Sequence, residues 1–326
     1  MDNDLRPGNN RTLLIGLATL VLFALVTLGA WAFLDVTSIA RTEPAIPDDA
    51  SDSFDALTGS EGDTARVVSL GTLSPELDES SGVAVSRRYD GVVWSHNDGD
   101  DPVLYALRPD GTLLSRISVE VDDTEDWEDI ALGPCPPESG APAGGDCLYV
   151  GDVGDNDAER ESMMVVVLRE PDPGKPGTVP VLGTIRFRYP DGPADTEALA
   201  VSPGGDILLV TKGEDGNSRL YQLSPLLDGG GVRDAELLGP LPTQTDRDED
   251  RITGAAVSPD GRTLAIRSHH AVFLTALNDP LGAPILCEIG LSQPQGEGID
   301  FLDGRRLILT SEEEAGRAPI VRLRCP

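Results

Sequence analysis

Five times between Ser81 and Phe301 the chain repeats one short phrase: a polar or acidic residue, a small residue, then a short apolar run. The copies are Ser81-Gly82-Val83-Ala84-Val85, Glu128-Asp129-Ile130-Ala131-Leu132, Glu197-Ala198-Leu199-Ala200-Val201, Thr253-Gly254-Ala255-Ala256-Val257 and Glu297-Gly298-Ile299-Asp300-Phe301. They lie 47, 69, 56 and 44 residues apart. Recurrence at separations of this size marks a repeat architecture in which each copy is one supersecondary unit that buries its apolar faces only against its neighbours.

After each opening phrase come further β-rich runs. The first unit supplies GVVWS, VLYAL and LLSRISV; the second CLYVGD, MMVVVL and GTIRFRY; the third DILLVT, RLYQL and AELLG; the fourth TLAIR, AVFLTAL and PILCEI. Turn signals such as RPDG, SPGG and SPDG separate them. Four short strands per unit with almost no helical periodicity describe an all-β chain, a five-bladed β-propeller. The last unit has three runs, GIDF, RLILT and PIVRLRC, and the strand it lacks is expected from Ala65 to Leu73, which would close the ring non-covalently. A sixth blade hidden in the long second repeat is the alternative.

In such a ring the innermost strands run along the axis, and their first residues meet at one mouth of the channel. Those residues are Ser81, Glu128, Glu197, Thr253 and Glu297. Three carboxylates facing one another repel, and a hard cation removes the cost. Ca²⁺, which takes six to eight oxygens in flexible geometry, suits such a ring better than Mg²⁺. This gives a role to the dense stretch DTEDWED, residues 123 to 129, with five carboxylates in seven positions. The competing interpretation is that these residues merely face solvent at strand entries.

The loops after each second strand are expected on the same face. They carry His96-Asn97-Asp98, Asp152 with Asp155-Asn156, Lys212 with Glu214-Asp215, Arg267-Ser268-His269-His270, and Ser311 to Glu314. All three histidines and one of only two lysines fall there. Asp98 is the candidate general base; Lys212 and Arg267 are candidate anion contacts. Trp94 and Trp127 fit blade core or a stacking role.

Residues 12 to 34, TLLIGLATLVLFALVTLGAWAFL, hold no charge. As a helix this run reaches about 34 Å, enough to cross a hydrocarbon core of about 30 Å. Arg6 and Arg11 precede it, and Asp35, Glu43, Asp48 and Asp49 follow, which places residues 1–11 in the cytoplasm and the rest outside. A signal peptide cleaved after Ala32 is the rival, and would leave a secreted protein. Residues 35–63 read as a flexible acidic linker and 64–326 as the propeller. In an oxidising compartment the four cysteines are expected to pair as Cys135–Cys147 and Cys287–Cys325.

The net charge of −31 argues against a nucleic-acid partner, which needs a basic stripe. No Gly-x-Ser-x-Gly elbow supports a serine hydrolase, and DGGGV at 228 to 232 lacks the Lys-Ser/Thr and helix of a phosphate loop.

The ring order Ser81, Glu128, Glu197, Thr253, Glu297 resembles that of the calcium-activated apyrases, five-bladed propellers whose axial Ca²⁺ is held by Ser, Glu, Glu, Ser, Glu. The stretches Leu148-Tyr149-Val150-Gly151 and Ser311 to Arg317 are similar to that family's blade segments, as is the loop around Asp98. The resemblance spans residues 64 to 326 and implies an axial calcium. It departs at Asn97-Asp98, where the family has Asp-Asp, at Thr253, and at Val67 to Leu73, which lacks the family's carboxylate. These departures favour a membrane-anchored module that binds an envelope ligand, protein or small molecule. The alternative is a Ca²⁺-dependent phosphohydrolase or esterase acting on nucleotides or other phosphorylated small molecules.

Overall fold

The computed structural model describes residues 65–326 except 143, 214–216, 228–230, 244–250, 290–292, 294 and 314–315. The apolar run 12–34, the linker, Glu214, Asp215 and Glu314 therefore lie outside the described residues. Among those described, no helix is long and apolar enough to cross a membrane.

The described residues form five sheets, each built on four antiparallel strands. After β1 (Arg66–Thr72), blade 1 comprises β2 (Ser80–Val85), β3 (Val93–Asn97), β4 (Val103–Leu107) and β5 (Leu113–Glu120). Blade 2 is built from β6 (Trp127–Pro134), β7 (Asp146–Asp152), β8 (Met163–Arg169) and β10 (Gly183–Arg188), with β9 (Gly177–Pro180) between the last two in sequence. Blade 3 has β11 (Thr196–Val201), β12 (Ile207–Thr211), β13 (Arg219–Leu223) and β15 (Glu236–Pro240), preceded by the two-residue β14 (Arg233–Asp234). Blade 4 is β16 (Ile252–Val257), β17 (Thr263–Ser268), β18 (Ala271–Ala276) and β19 (Ile285–Glu288). Blade 5 takes β20 (Gly296–Phe301), β21 (Arg306–Ser311) and β22 (Pro319–Arg324), and β1 pairs antiparallel with β22 to complete it. The innermost strands neighbour one another in a closed cycle, β2, β6, β11, β16, β20 and back to β2. Among the described residues the count is five blades, and the three extra runs of the second repeat all go to blade 2 rather than to a sixth.

Each blade is sandwiched, so its middle strands are apolar on both faces rather than alternating. In β8 the side chains of Met164, Val166 and Leu168 join a core with blade 1, while Met163, Val165 and Val167 join the core with blade 3. Five such cores fill the five seams. Burial of each Val or Leu contributes about 1.5–3 kcal/mol. The turns RPDG, SPGG and SPDG end on Gly111, Gly205 and Gly261 at φ of 87°, 91° and 67°, left-handed backbone that glycine adopts without a Cβ clash.

Two short strands do not belong to the blade that supplies them. β9 runs parallel to β5 and extends blade 1, and β14 runs parallel to β10 and extends blade 2. Each covers an open sheet edge of the preceding blade. Both expected disulfides are present: Cys135–Cys147 within blade 2, and Cys287–Cys325 between β19 of blade 4 and the residue after β22 of blade 5.

Candidate metal centre

All five innermost strands carry a register shift near their first residue: between Ser80 and Val83, Trp127 and Asp129, Thr196 and Ala198, Ile252 and Gly254, and Gly296 and Ile299. The residues skipped by the ladders include Ser81, Glu128, Glu197, Thr253 and Glu297. A bulge leaves its extra residue unpaired and re-aims the side chain. Here five bulges turn five polar residues into one cavity of about 480 Å³ at the mouth of the channel. The close spacing of the inner strands explains the glycines that follow: a Cβ on Gly82 would meet Ile130 N at 2.6 Å, and one on Gly254 would meet Glu297 O at 2.8 Å.

The ring residues divide by chemistry. The Ser81 hydroxyl donates to the Glu128 carbonyl, and Thr253 Oγ1 donates to the Gly296 carbonyl at 2.8 Å, so both stitch their blade to the next. Glu128, Glu197 and Glu297 are buried carboxylates. Burial pushes Glu128 and Glu297 well above the ordinary range, with Glu197 adding to both, and lifts Glu197 to about 7 despite Lys212.

Three further carboxylates, Asp98, Asp126 and Asp195, complete the centre. Oxygens of Glu128, Asp195 and Glu197 lie within 4.8 Å of one another, and so do those of Asp98, Asp126 and Glu128. Glu128 belongs to both triads. Asp126 and Asp195 each stand two residues before a ring glutamate; the same Asp-x-Glu spacing recurs at 123/125, 157/159 and 234/236, so it points to them only where it falls at a repeated strand start. Asp126 stands beside Asp98 in this triad, and burial together with the Asp98 charge pushes it up to about 7. Gly154 walls this triad, since a Cβ there would collide with the Glu128 and Asp126 carboxylates. Arg160, donating to the Gly154 carbonyl at 2.7 Å and to Asp152 at 3.0 Å, fixes that wall.

The expected loop residues are only partly gathered. Asp98, Asn156, Lys212, His269, His270 and Glu312 line the cavity, as does Gln295, which sequence reasoning missed. Lys212 Nζ sits 2.6 Å from Glu197 Oε1 and 3.2 Å from Asp195 Oδ2. Burial would lower its pKa, but these carboxylates outweigh it and hold the group above its ordinary value. His269 Nδ1 is 3.7 Å from Glu297. Arg267, expected to meet an anion, is instead wholly buried: its Nη1 donates to the Thr310 and Gly298 carbonyls and its Nη2 to Gln293. It holds blade 4 to blade 5. His96 is also buried, edge-on to Trp127, and burial pulls it down to about 4. Trp94 donates to Glu170 at 2.8 Å within the blade core.

The donor set fits a hard cation. Every side chain in the two triads offers carboxylate oxygen, with no sulfur or imidazole, the ligand class that suits Ca²⁺ or Mg²⁺. The chemistry of the cavity is that of an acidic well with one ammonium and two imidazoles on its wall.

The chain is thus a five-bladed β-propeller with a buried acidic centre on its axis. No family model matches it, and no curated protein does. Among solved structures it is similar to a PQQ-bound aldose sugar dehydrogenase from Streptomyces coelicolor, at 13% identity and a TM-score of 0.45, over 81% of this chain and 99% of that one. It is also similar to a gluconolactonase from Xanthomonas campestris, at 13% identity and a TM-score of 0.46, over 80% and 90%. A glucose dehydrogenase gives 14% identity and a TM-score of 0.45, over 80% and 100%. The blade count rests on the strand order described above and not on these likenesses.

Proposed function

We propose that this chain is a membrane-anchored, extracytoplasmic propeller that holds Ca²⁺ at its axis and binds an envelope ligand, protein or small molecule, over the ion. The observation that carries this reading is the convergence of five bulged ring positions on two carboxylate triads that share Glu128. Glu128, Asp195 and Glu197 would hold the ion, with Glu297, Ser81 and Thr253 completing the ring. A cation there relieves the repulsion that burial otherwise resolves by protonation. The anchor is the apolar run 12–34, with its basic flank inside and acidic flank outside.

A second reading, that of a Ca²⁺-dependent phosphohydrolase or esterase, is favoured by the Asp98 and Asp126 carboxylates grouped with Glu128 beside the ring. In it Asp98 takes a proton from water while Asp126 orients it, and His269 and His270 face the ligand's polar groups. The ion, when bound, would supply Lewis acidity toward a phosphoryl oxygen. The apyrase-like ring order supports this reading, and the loss of Arg267 from the cavity weighs against it.

Calorimetric titration of the metal-stripped full chain in mild detergent tests the proposal, first with Ca²⁺ and Mg²⁺, then with nucleotides and phosphate esters in calcium. Saturable Ca²⁺ binding at one site supports the axial ion. Released phosphate selects the hydrolase, and absence of calcium heat overturns both readings.

A further inference from the structure

The Lys212 ammonium donates to Asn156 Oδ1 at 3.1 Å and makes ion pairs with Glu197 Oε1 at 2.6 Å and Asp195 Oδ2 at 3.2 Å. Glu197 and Asp195 are two of the three members of the Glu128 triad. The positive charge therefore stands against the same oxygens that a cation would take. Its backbone is fixed on both sides, Lys212 N donating to the Asp195 carbonyl at 3.0 Å and the Lys212 carbonyl accepting from Ile252 N at 3.2 Å. Only the four-carbon stem is free to move, and the side chain retains 22% exposure toward the cavity.

The residue type supports the same conclusion. Of 25 basic residues in the chain only two are lysine, and one stands here. A guanidinium is broad and planar and presents five donors in a fixed fork, whereas an ammonium is a compact point charge on a flexible stem that can withdraw from its partners.

We propose that Lys212 is a tethered competitor for the axial cation, neutralising Glu197 and Asp195 in the metal-free protein and setting the affinity at which a divalent ion displaces it. This rests on the axial reading above. A tethered group competes at the high effective concentration its short stem imposes, so it weakens metal binding without being consumed. The site is thereby tuned toward the weak-binding end of the calcium range, where ions respond to extracellular concentrations. The same charge spares the metal-free ring from the self-repulsion of its carboxylates.

The test uses the full chain, metal-stripped, as wild type, Lys212→Met and Lys212→Gln, each with calorimetric Ca²⁺ titration and thermal melting. The expected result is at least tenfold tighter calcium binding in both variants, with a lower melting temperature without metal and a wild-type value at saturating calcium. Ethylammonium added to Lys212→Met should raise its metal-free melting temperature and weaken its calcium binding. Equal or weaker calcium binding in the variants, with wild type binding normally, overturns the competitor role and leaves the axial site standing. Absence of calcium heat in wild type and folded variants alike overturns both, and makes Lys212 the permanent counter-ion of the ring.

Discussion

Asp129 accepts the backbone amide of Leu199 at 2.7 Å, from the innermost strand of the next blade. The same carboxylate takes the amides of Ala255 at 3.2 Å and Ile130 at 2.8 Å, so one side chain joins β6, β11 and β16 across the channel. Inner strands of a ring have one edge without a strand partner, and their amides need acceptors. Asp300 does the same for Val85 at 2.6 Å and Phe301 at 2.7 Å. Replacing Asp129 by Ala leaves three buried donors unmet and is expected to cost about 3 kcal/mol in urea unfolding. Asp300→Ala, which strands two, is expected to cost less.

The metal-free protein should lose stability as pH rises. Burial lifts Glu197 from 4.5 to about 7, and Asp126 and Glu312 also reach about 7. The folded state therefore binds more protons than the unfolded chain between pH 4.5 and about 7, and stability falls through that window. The almost fully buried Glu197 alone accounts for on the order of 3 kcal/mol. Melting temperatures read from pH 4.5 to 8 should decline without metal and flatten with excess calcium; a flat metal-free profile contradicts the shifts.

Glu128 is shared by both triads, so Glu128→Gln should weaken calcium binding more than any other ring substitution. A loss of roughly 100-fold, about 2.7 kcal/mol, is expected by calorimetry, against less than tenfold for Thr253→Ser, which keeps the hydroxyl. Equal losses would place the ion away from Glu128.

Arg267→Met removes a guanidinium that serves two carbonyls and Gln293 inside the blade 4–5 seam. Breaking such a buried network is expected to cost about 3–5 kcal/mol. Urea unfolding should show that loss while calcium affinity changes little, in contrast to Lys212 variants.

Reduction of the Cys287–Cys325 bridge releases a separation of 38 residues and is expected to cost roughly 4 kcal/mol, against about 3 for Cys135–Cys147 at 12. Cys325→Ser and Cys135→Ser, compared by thermal melting, check the order.

The blade count and both disulfides were legible because each rests on a local pattern: a repeated strand start, or cysteines bracketing one loop or ending two apolar runs. The strands β9 and β14 were not, since GTVP and RD have no periodicity and pair only through the blade before them. Arg267 looked like a loop cation for the same reason. The partners that bury it, Gln293, Gly298 and Thr310, come from 26 to 43 residues away. Ring residues were readable by their order, whereas Asp126 and Asp195 were hidden among a surplus of acids and are distinguished only by standing two residues ahead of a bulge.

The closing of blade 5 by β1 also sets how the ring is fastened. Arg66, the first residue of β1, pairs with Arg324, the last of β22, so the ring is closed by one antiparallel ladder between the two ends of the propeller. The next residue along β22 is Cys325, bonded to blade 4. The covalent bond beside the closing ladder ties β22 to blade 4, so blade 5 stays attached to the ring through a link that does not depend on β1.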